Sequence, residues 1–204
     1  MTRRLLDYGA HAVLLECADF AEARALRPAV EQQFDQVSEI VPGARTLLLR
    51  LQAPLTGAER QRLLALPVTE QPVDDHDLVS IQVDYSGTDL AEVAERTGLD
   101  PDAVIAAHTG QVWTVAFCGF APGFGYLVGE NDRLRVPRRD RPRTSVPAGA
   151  VGLADTFSGI YPRPGPGGWQ LIGRTDAVLW DLDRDPPALL RPGVQVRFTT
   201  STGA

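Results

Sequence analysis

Residues Phe117–Thr175 read FCGFAPGFGYLVGENDRLRVPRRDRPRTSVPAGAVGLADTFSGIYPRPGPGGWQLIGRT, and this stretch decides the fold. It holds 11 of the chain's 19 glycines and 7 of its 16 prolines. Such a density in a linker would come with few large apolar side chains. Here Phe117, Phe120, Phe124, Tyr126, Phe157, Tyr161 and Trp169 are interleaved with the glycines. Glycine then supplies unusual backbone angles and close chain approach, and proline marks the ends of short strands. The expectation is a tightly turned β structure with a rigid surface.

Six arginines fall between Arg133 and Arg143, and Arg163 and Arg174 follow, on a chain whose formal net charge is -6. A basic cluster on an acidic chain points to an anionic partner such as a carboxylate or phosphate. Arg143 and Arg174 lie inside glycine and proline motifs and are the candidates for substrate binding. The acidic balance and the lack of long Lys/Arg tracts argue against nucleic acid. No apolar run reaches the roughly 18 residues of a membrane span. The first residues lack the apolar core of a secretion signal. Cys17 and Cys118 match no metal spacing and suit a reduced, cytoplasmic protein.

Upstream of this region the chain changes character. Arg4–Asp7 and Ala12–Glu16 read as strands around a turn. Asp19 caps a helix whose apolar face is Phe20, Ala23, Leu26, Val30 and Phe34, with Pro28 expected to kink or break it. Val37–Val41 and Thr46–Leu51 read as strands, and Glu59–Leu66 as a second helix. This pattern is an α+β domain over residues 1–77. The Asp74-Asp75-His76-Asp77 run marks the boundary and reads as a linker rather than a metal site.

From Val79 to Tyr85, apolar and polar residues alternate as in a half-buried strand. Helices are expected over Asp89–Thr97 and from Asp100-Pro101 to Gly110, with Val104, Ile105 and His108 on one face. Strands are expected at Gln111–Phe117, Ala150–Leu153, Gly168–Ile172, Val178–Asp181 and Gln195–Thr199. Many short strands with close turns make residues 78–204 a mainly-β barrel.

The chemistry is incomplete. There is no G-x-S-x-G elbow, no phosphate-binding Walker loop and no CxxC or HxH pair. Ser145 and Ser158 have no histidine nearby in sequence, and Ser158 reads as a turn residue. His108 sits in the last turn of its helix, where the dipole favours a charged imidazole. It is either a catalytic acid–base group or a helix cap. Gly119–Gly125 and Gly165–Gly168 offer backbone amides for an anion or oxyanion. The candidate binding set is therefore Gly119, Phe120, Pro122, Gly123, Phe124, Gly167, Gly168 and Trp169, with Arg143 and Arg174. No metal is expected, and a second chain is expected to complete the site.

At these residues the chain resembles the allophanate hydrolase subunit 1 family, which includes the 5-oxoprolinase B subunit (PxpB) and the kinase inhibitor KipI. The resemblance lies in Gly119-Phe120-Ala121-Pro122-Gly123-Phe124-Gly125-Tyr126-Leu127, in Pro137–Leu153, in Ser158–Pro162, and in Pro166-Gly167-Gly168-Trp169 to Thr175. Ser158, Gly165 and Ala150 depart from the family's threonine and two serines. The resemblance implies a cyclophilin-like barrel and pairing with allophanate hydrolase subunit 2, or with the 5-oxoprolinase C subunit. It also implies a small amide substrate, ATP used at the level of the complex, and a LamB/YcsF-type A subunit. Inhibition of a histidine kinase, as by KipI, is the alternative, and a bare peptide-binding barrel is a third reading.

Overall fold

A computed structural model describes residues 3–68 and 78–201. Contacts divide the chain into two compact units, Met1–Val73 and Asp74–Ala204. The Asp74–Asp77 run and the boundary expected at Asp77 lie outside the described residues.

The first unit runs β1 (Arg4–Asp7), β2 (Ala12–Glu16), α1 (Phe20–Gln33), β3 (Val37–Pro42), β4 (Thr46–Leu51) and α2 (Gly57–Leu64). Its antiparallel sheet has the order β1-β2-β4-β3. Alternation places Val13, Leu15, Leu47, Leu49 and Leu51 inward. They meet Ala23, Leu26 and Val30 of α1 in one core. Each such apolar side chain contributes roughly 1.5–3 kcal/mol on burial. Asp19 accepts a hydrogen bond from the Glu22 amide at 2.9 Å and starts α1 as expected. The helix does not break at Pro28 but runs on to Gln33. Proline leaves the Arg24 carbonyl without its helical partner; Arg24 is exposed, where water can take that role. The second helix begins at Gly57, before Glu59, because Thr56 and Glu59 form a reciprocal capping box.

The second unit runs β5 (Leu78–Val83), α3 (Leu90–Thr97), α4 (Pro101–Thr109), β6 (Trp113–Cys118), β7 (Gly125–Val128), β8 (Arg143–Val146), β9 (Ala150–Ala154), β10 (Phe157–Ile160), β11 (Gly165–Gly167), β12 (Gln170–Arg174) and β13 (Gln195–Thr200). Seven strands form one sheet in the order β12-β9-β10-β7-β6-β13-β5. Only the β13–β5 pair is parallel. The sheet curls until Asp84, just after β5, bridges Arg174 at the end of β12 through two backbone bonds of 2.8 Å. Gly87 and Asp89 then donate to the carbonyls of Ile172 and Leu171. The result is a nearly closed, barrel-like sheet, whose interior holds Val83, Trp113, Val115, Leu127, Val151, Ile160, Val196 and Phe198. α3 packs on β12 and α4 on β13.

β8 and β11 pair as a separate two-stranded sheet. A second core of Phe124, Val146, Ala150, Ala154, Tyr161, Trp169 and Leu171 forms among the glycine-rich turns. The strand expected at Val178–Asp181 is absent. That segment has a single bridge, Trp180 to Ala188, and turns Val178 and Trp180 outward while burying Leu179. Ser158 lies inside β10 rather than in a turn.

Candidate functional site

The expected site residues separate into three places. His108 is in the barrel interior. Arg174 is at the seam. Arg143, with the glycines and aromatics, forms a third group around Asp89 and Tyr161.

His108 is wholly enclosed, with 0% of its surface exposed. Its ring stacks on Phe198 with centroids 4.2 Å apart and tilts against Trp113 at 5.0 Å. Nδ1 lies 2.7 Å from the Tyr85 hydroxyl and Nε2 lies 2.8 Å from Ser158 Oγ. Burial lowers its pKa to about 3. The helix-end dipole that favours a charged imidazole is overridden by loss of solvent. The neutral ring donates through one nitrogen and accepts through the other, so the two hydroxyls take opposite roles. The Trp113 indole N–H donates to the His108 carbonyl at 2.9 Å, which serves one of the free carbonyls of the helix end. Both ring nitrogens are committed to these partners. Burial also raises the Tyr85 phenol above its ordinary value.

Asp89 reads from the sequence only as a helix start, yet it organises the third group. It is 4% exposed and makes no side-chain cap to α3. Its Oδ1 accepts from Arg143 Nη2 at 2.7 Å and from Arg139 Nη1 at 2.9 Å. Its Oδ2 accepts from the Leu171 amide at 2.6 Å. Arg143 also donates to Thr88 Oγ1 and the Trp169 carbonyl, at 3.2 and 3.4 Å. Arg143 is thus engaged on three sides. The partners lie 50 to 82 residues from Asp89 in sequence, and no local pattern signals them.

Around this cluster the aromatics pack edge to face. Phe124 meets Tyr161 at 5.5 Å and Trp169 at 5.4 Å between ring centroids. Gly167 is required there, because a Cβ would lie 2.2 Å from the Tyr161 hydroxyl oxygen. Gly168 accepts from the Arg139 amide at 2.8 Å. In the turn Gly119–Phe124, the Gly119 amide donates to Phe124, that of Ala121 to Gly119, and that of Phe124 to Ala121. These three amides are spent inside the turn, around Pro122, and do not form the anion cradle expected from the glycines. Phe120 takes a positive φ of 64° and remains 56% exposed. A bulky side chain in that region carries strain.

Arg174 ends β12, whereas the Trp169 carbonyl that Arg143 contacts precedes it, so the two arginines stand at opposite ends of that strand. The Arg174 side chain is 66% exposed, with Asp84 and Asp176 each 3.9 Å away. It borders a cleft of about 950 Å³ with Ser80, Gln82, Asp84, Thr199 and Ser201. Among the described residues, no group of three or more His, Cys, Asp or Glu could hold a metal ion. No helix among them is long and apolar enough to cross a membrane.

The family model for the carboxyltransferase domain, subdomain C and D, matches residues 3–190, and the chain belongs to that family. Its similarity to individual proteins is high. The 5-oxoprolinase B subunit of Escherichia coli O157:H7 is 42% identical over 170 residues, which cover 79% of this chain and 77% of that protein. The 5-oxoprolinase B subunit of Bacillus subtilis (strain 168) is 47% identical over 124 residues, covering 59% of this chain and 52% of that protein. The crystal structure of TTHA0988 superposes with a TM-score of 0.73 at 37% identity, over 95% of this chain but only 40% of that one. The chain therefore spans about half of the second relative and less than half of TTHA0988.

Proposed function

We propose that this chain is the B subunit of an ATP-dependent 5-oxoprolinase, a hydrolase complex that opens 5-oxoproline to glutamate. The observation that carries this reading is the 42% identity to a 5-oxoprolinase B subunit over 79% of the chain. In this reading, residues 78–204 are a cyclophilin-like barrel that follows an α+β domain in the sequence, and the protein works in the cytoplasm. Its partners are the 5-oxoprolinase C subunit, the counterpart of allophanate hydrolase subunit 2, together with a LamB/YcsF-type A subunit. The partial coverage of TTHA0988 supports a working unit larger than this chain. No named relative supports the KipI alternative.

The glycine-rich turn and the Asp89 cluster do not form a cradle for a nucleoside triphosphate. Gly119–Gly125 joins two strands instead of opening a helix, and Arg139 and Arg143 are already paired with Asp89, with Glu92 3.6 Å from Arg139. The nucleotide is therefore assigned to another component of the complex, and no ATP step passes through this chain. The substrate's carboxylate is assigned to Arg174, whose guanidinium is open to solvent and only loosely paired. A planar fork recognises a carboxylate in a way that lysine does not reproduce.

The test is reconstitution. Co-expression with the A and C subunits is expected to give an assembly that converts 5-oxoproline to glutamate with ATP hydrolysis, and omission of this chain is expected to abolish turnover. An assembled complex that releases no glutamate overturns the reading. In the active complex, Arg174→Lys is expected to raise KM for 5-oxoproline about 10-fold, the equivalent of about 1.4 kcal/mol. An unchanged KM removes Arg174 from the site.

A further inference from the structure

The segment that follows β12 exposes three large apolar side chains at alternate positions. Val178, Trp180 and Leu182 are 58%, 43% and 79% exposed, while Leu179 between them is buried. Alternation of this kind normally turns the apolar set inward. Here it presents that set to solvent. The stripe packs against the turn that carries Phe120. A Cβ added at Gly123 of that turn would lie 3.1 Å from the Trp180 Cβ and 3.2 Å from the Leu179 carbonyl oxygen, so turn and stripe are in direct contact. Phe120 sits at a positive φ with its ring exposed, a strained conformation of the kind that collects at functional sites.

The border of the stripe is acidic. Asp176 and Asp183 are exposed and Asp181 is partly so. Arg184, the cation within the stripe's own segment, bends back to donate to the carbonyls of Val178 and Pro187. Arg174 stands 3.9 Å from Asp176 at one end of this border, which leaves Asp181 and Asp183 as its acidic part; an apolar centre inside a polar, charged rim is the anatomy of a protein–protein contact.

We propose that the Phe120–Trp180–Leu182 surface is where this chain docks its partner in the complex. The occupant is the polypeptide corresponding to the part of TTHA0988 that this chain does not cover. TTHA0988 carries the equivalent of this chain as 40% of one polypeptide, so the larger part of that polypeptide is a segment that these residues do not match. The docking face on that partner is an apolar patch bordered by lysine or arginine, complementary to the acidic rim. This assignment rests on the functional reading above and names the contact that builds the complex.

The test uses the full chain and the separately purified C subunit, with affinity measured by calorimetry. Leu182→Lys and Trp180→Lys place a cation opposite the basic rim, at positions exposed enough to leave the fold intact. Each is expected to weaken binding at least ~100-fold, the loss typical of a disrupted interface anchor, at an unchanged melting temperature. Tyr8→Lys, a control at an exposed aromatic of the first unit, is expected to bind as wild type. Wild-type affinity in both stripe variants overturns the surface, while glutamate formation by the wild-type complex keeps the functional reading. A wild-type chain that never binds the C subunit overturns both. If the chain alone sediments as a dimer and Leu182→Lys makes it a monomer, the stripe joins two copies and the partner assignment fails.

Discussion

Replacing His108 with alanine is expected to destabilise the barrel unit by about 3–5 kcal/mol. The substitution empties a site packed between Phe198 and Trp113. It also leaves the Tyr85 and Ser158 hydroxyls without their partner, and Ser158 is fully buried. His108→Gln, which keeps one donor and one acceptor, is expected to recover part of the loss. Urea midpoints at neutral pH measure both. A catalytic His108 would instead lose about 10²–10⁴-fold in rate with stability unchanged. The same enclosure predicts a pH dependence. The folded-state pKa is about 3, against an ordinary value of 6.5. Between those values the unfolded chain binds a proton that the folded chain does not. His108's contribution to stability is therefore complete above pH 6.5 and declines as the pH falls toward 3, by at most about 1.4 kcal/mol per pH unit. The difference in slope between wild type and His108→Gln isolates this group. Parallel slopes would mean that the imidazole is hydrated in the folded protein.

Asp89→Ala is expected to cost about 2–3 kcal/mol, because it removes the buried member of a partly exposed ion cluster. Two guanidinium groups, from Arg139 and Arg143, lose their common counter-charge, and the Leu171 amide loses its acceptor. Asn at this position keeps the shape but not the charge, and its effect is expected to be intermediate. Denaturant unfolding gives the magnitude, and faster hydrogen exchange at the Leu171 amide gives the location. A loss below about 0.5 kcal/mol, the range of ordinary surface substitutions, would show that the cluster is solvated. Because Arg143 also touches the Trp169 carbonyl, the variant is expected to loosen the aromatic group around Tyr161 as well.

Local chemistry made much of this fold legible. The Asp19 cap and the three-and-four spacing of Ala23, Leu26 and Val30 mark the start and the buried face of α1, although the break expected at Pro28 does not occur, and the alternation from Val79 describes β5. The interleaving of glycines with aromatics announced tightly turned β structure, but as a rigid surface, whereas Phe124, Tyr161 and Trp169 are buried in a second core. What escaped was short or distant. β7, β8, β10 and β11 have four residues or fewer, and such lengths show no periodicity among glycines and prolines. At Val178–Leu182 the alternation was visible, but its direction was not, since a stripe that faces a partner has the same pattern as one that faces a core. The Tyr85–His108–Ser158 chain and the Asp89 cluster join residues 23 to 82 positions apart. Pattern along the chain carries no information about such meetings. Arg143 stood out by its motif, yet its donors proved to be occupied by an aspartate whose position had suggested only the start of a helix.

The seam of the barrel bears on how the protein is made. β5 is the first strand of its sheet to leave the ribosome, and its neighbours are among the last. Its parallel partner β13 runs from Gln195 to Thr200, and the bridge on its other side waits for Arg174. Through most of synthesis, then, β5 is a lone strand with Val79, Ile81 and Val83 uncovered. A strand in that condition invites pairing with other chains. The polar residues that alternate along it, Ser80 and Gln82, with Asp84 just beyond its end, interrupt the apolar run that such pairing needs, and in the finished fold they line the cleft beside Arg174.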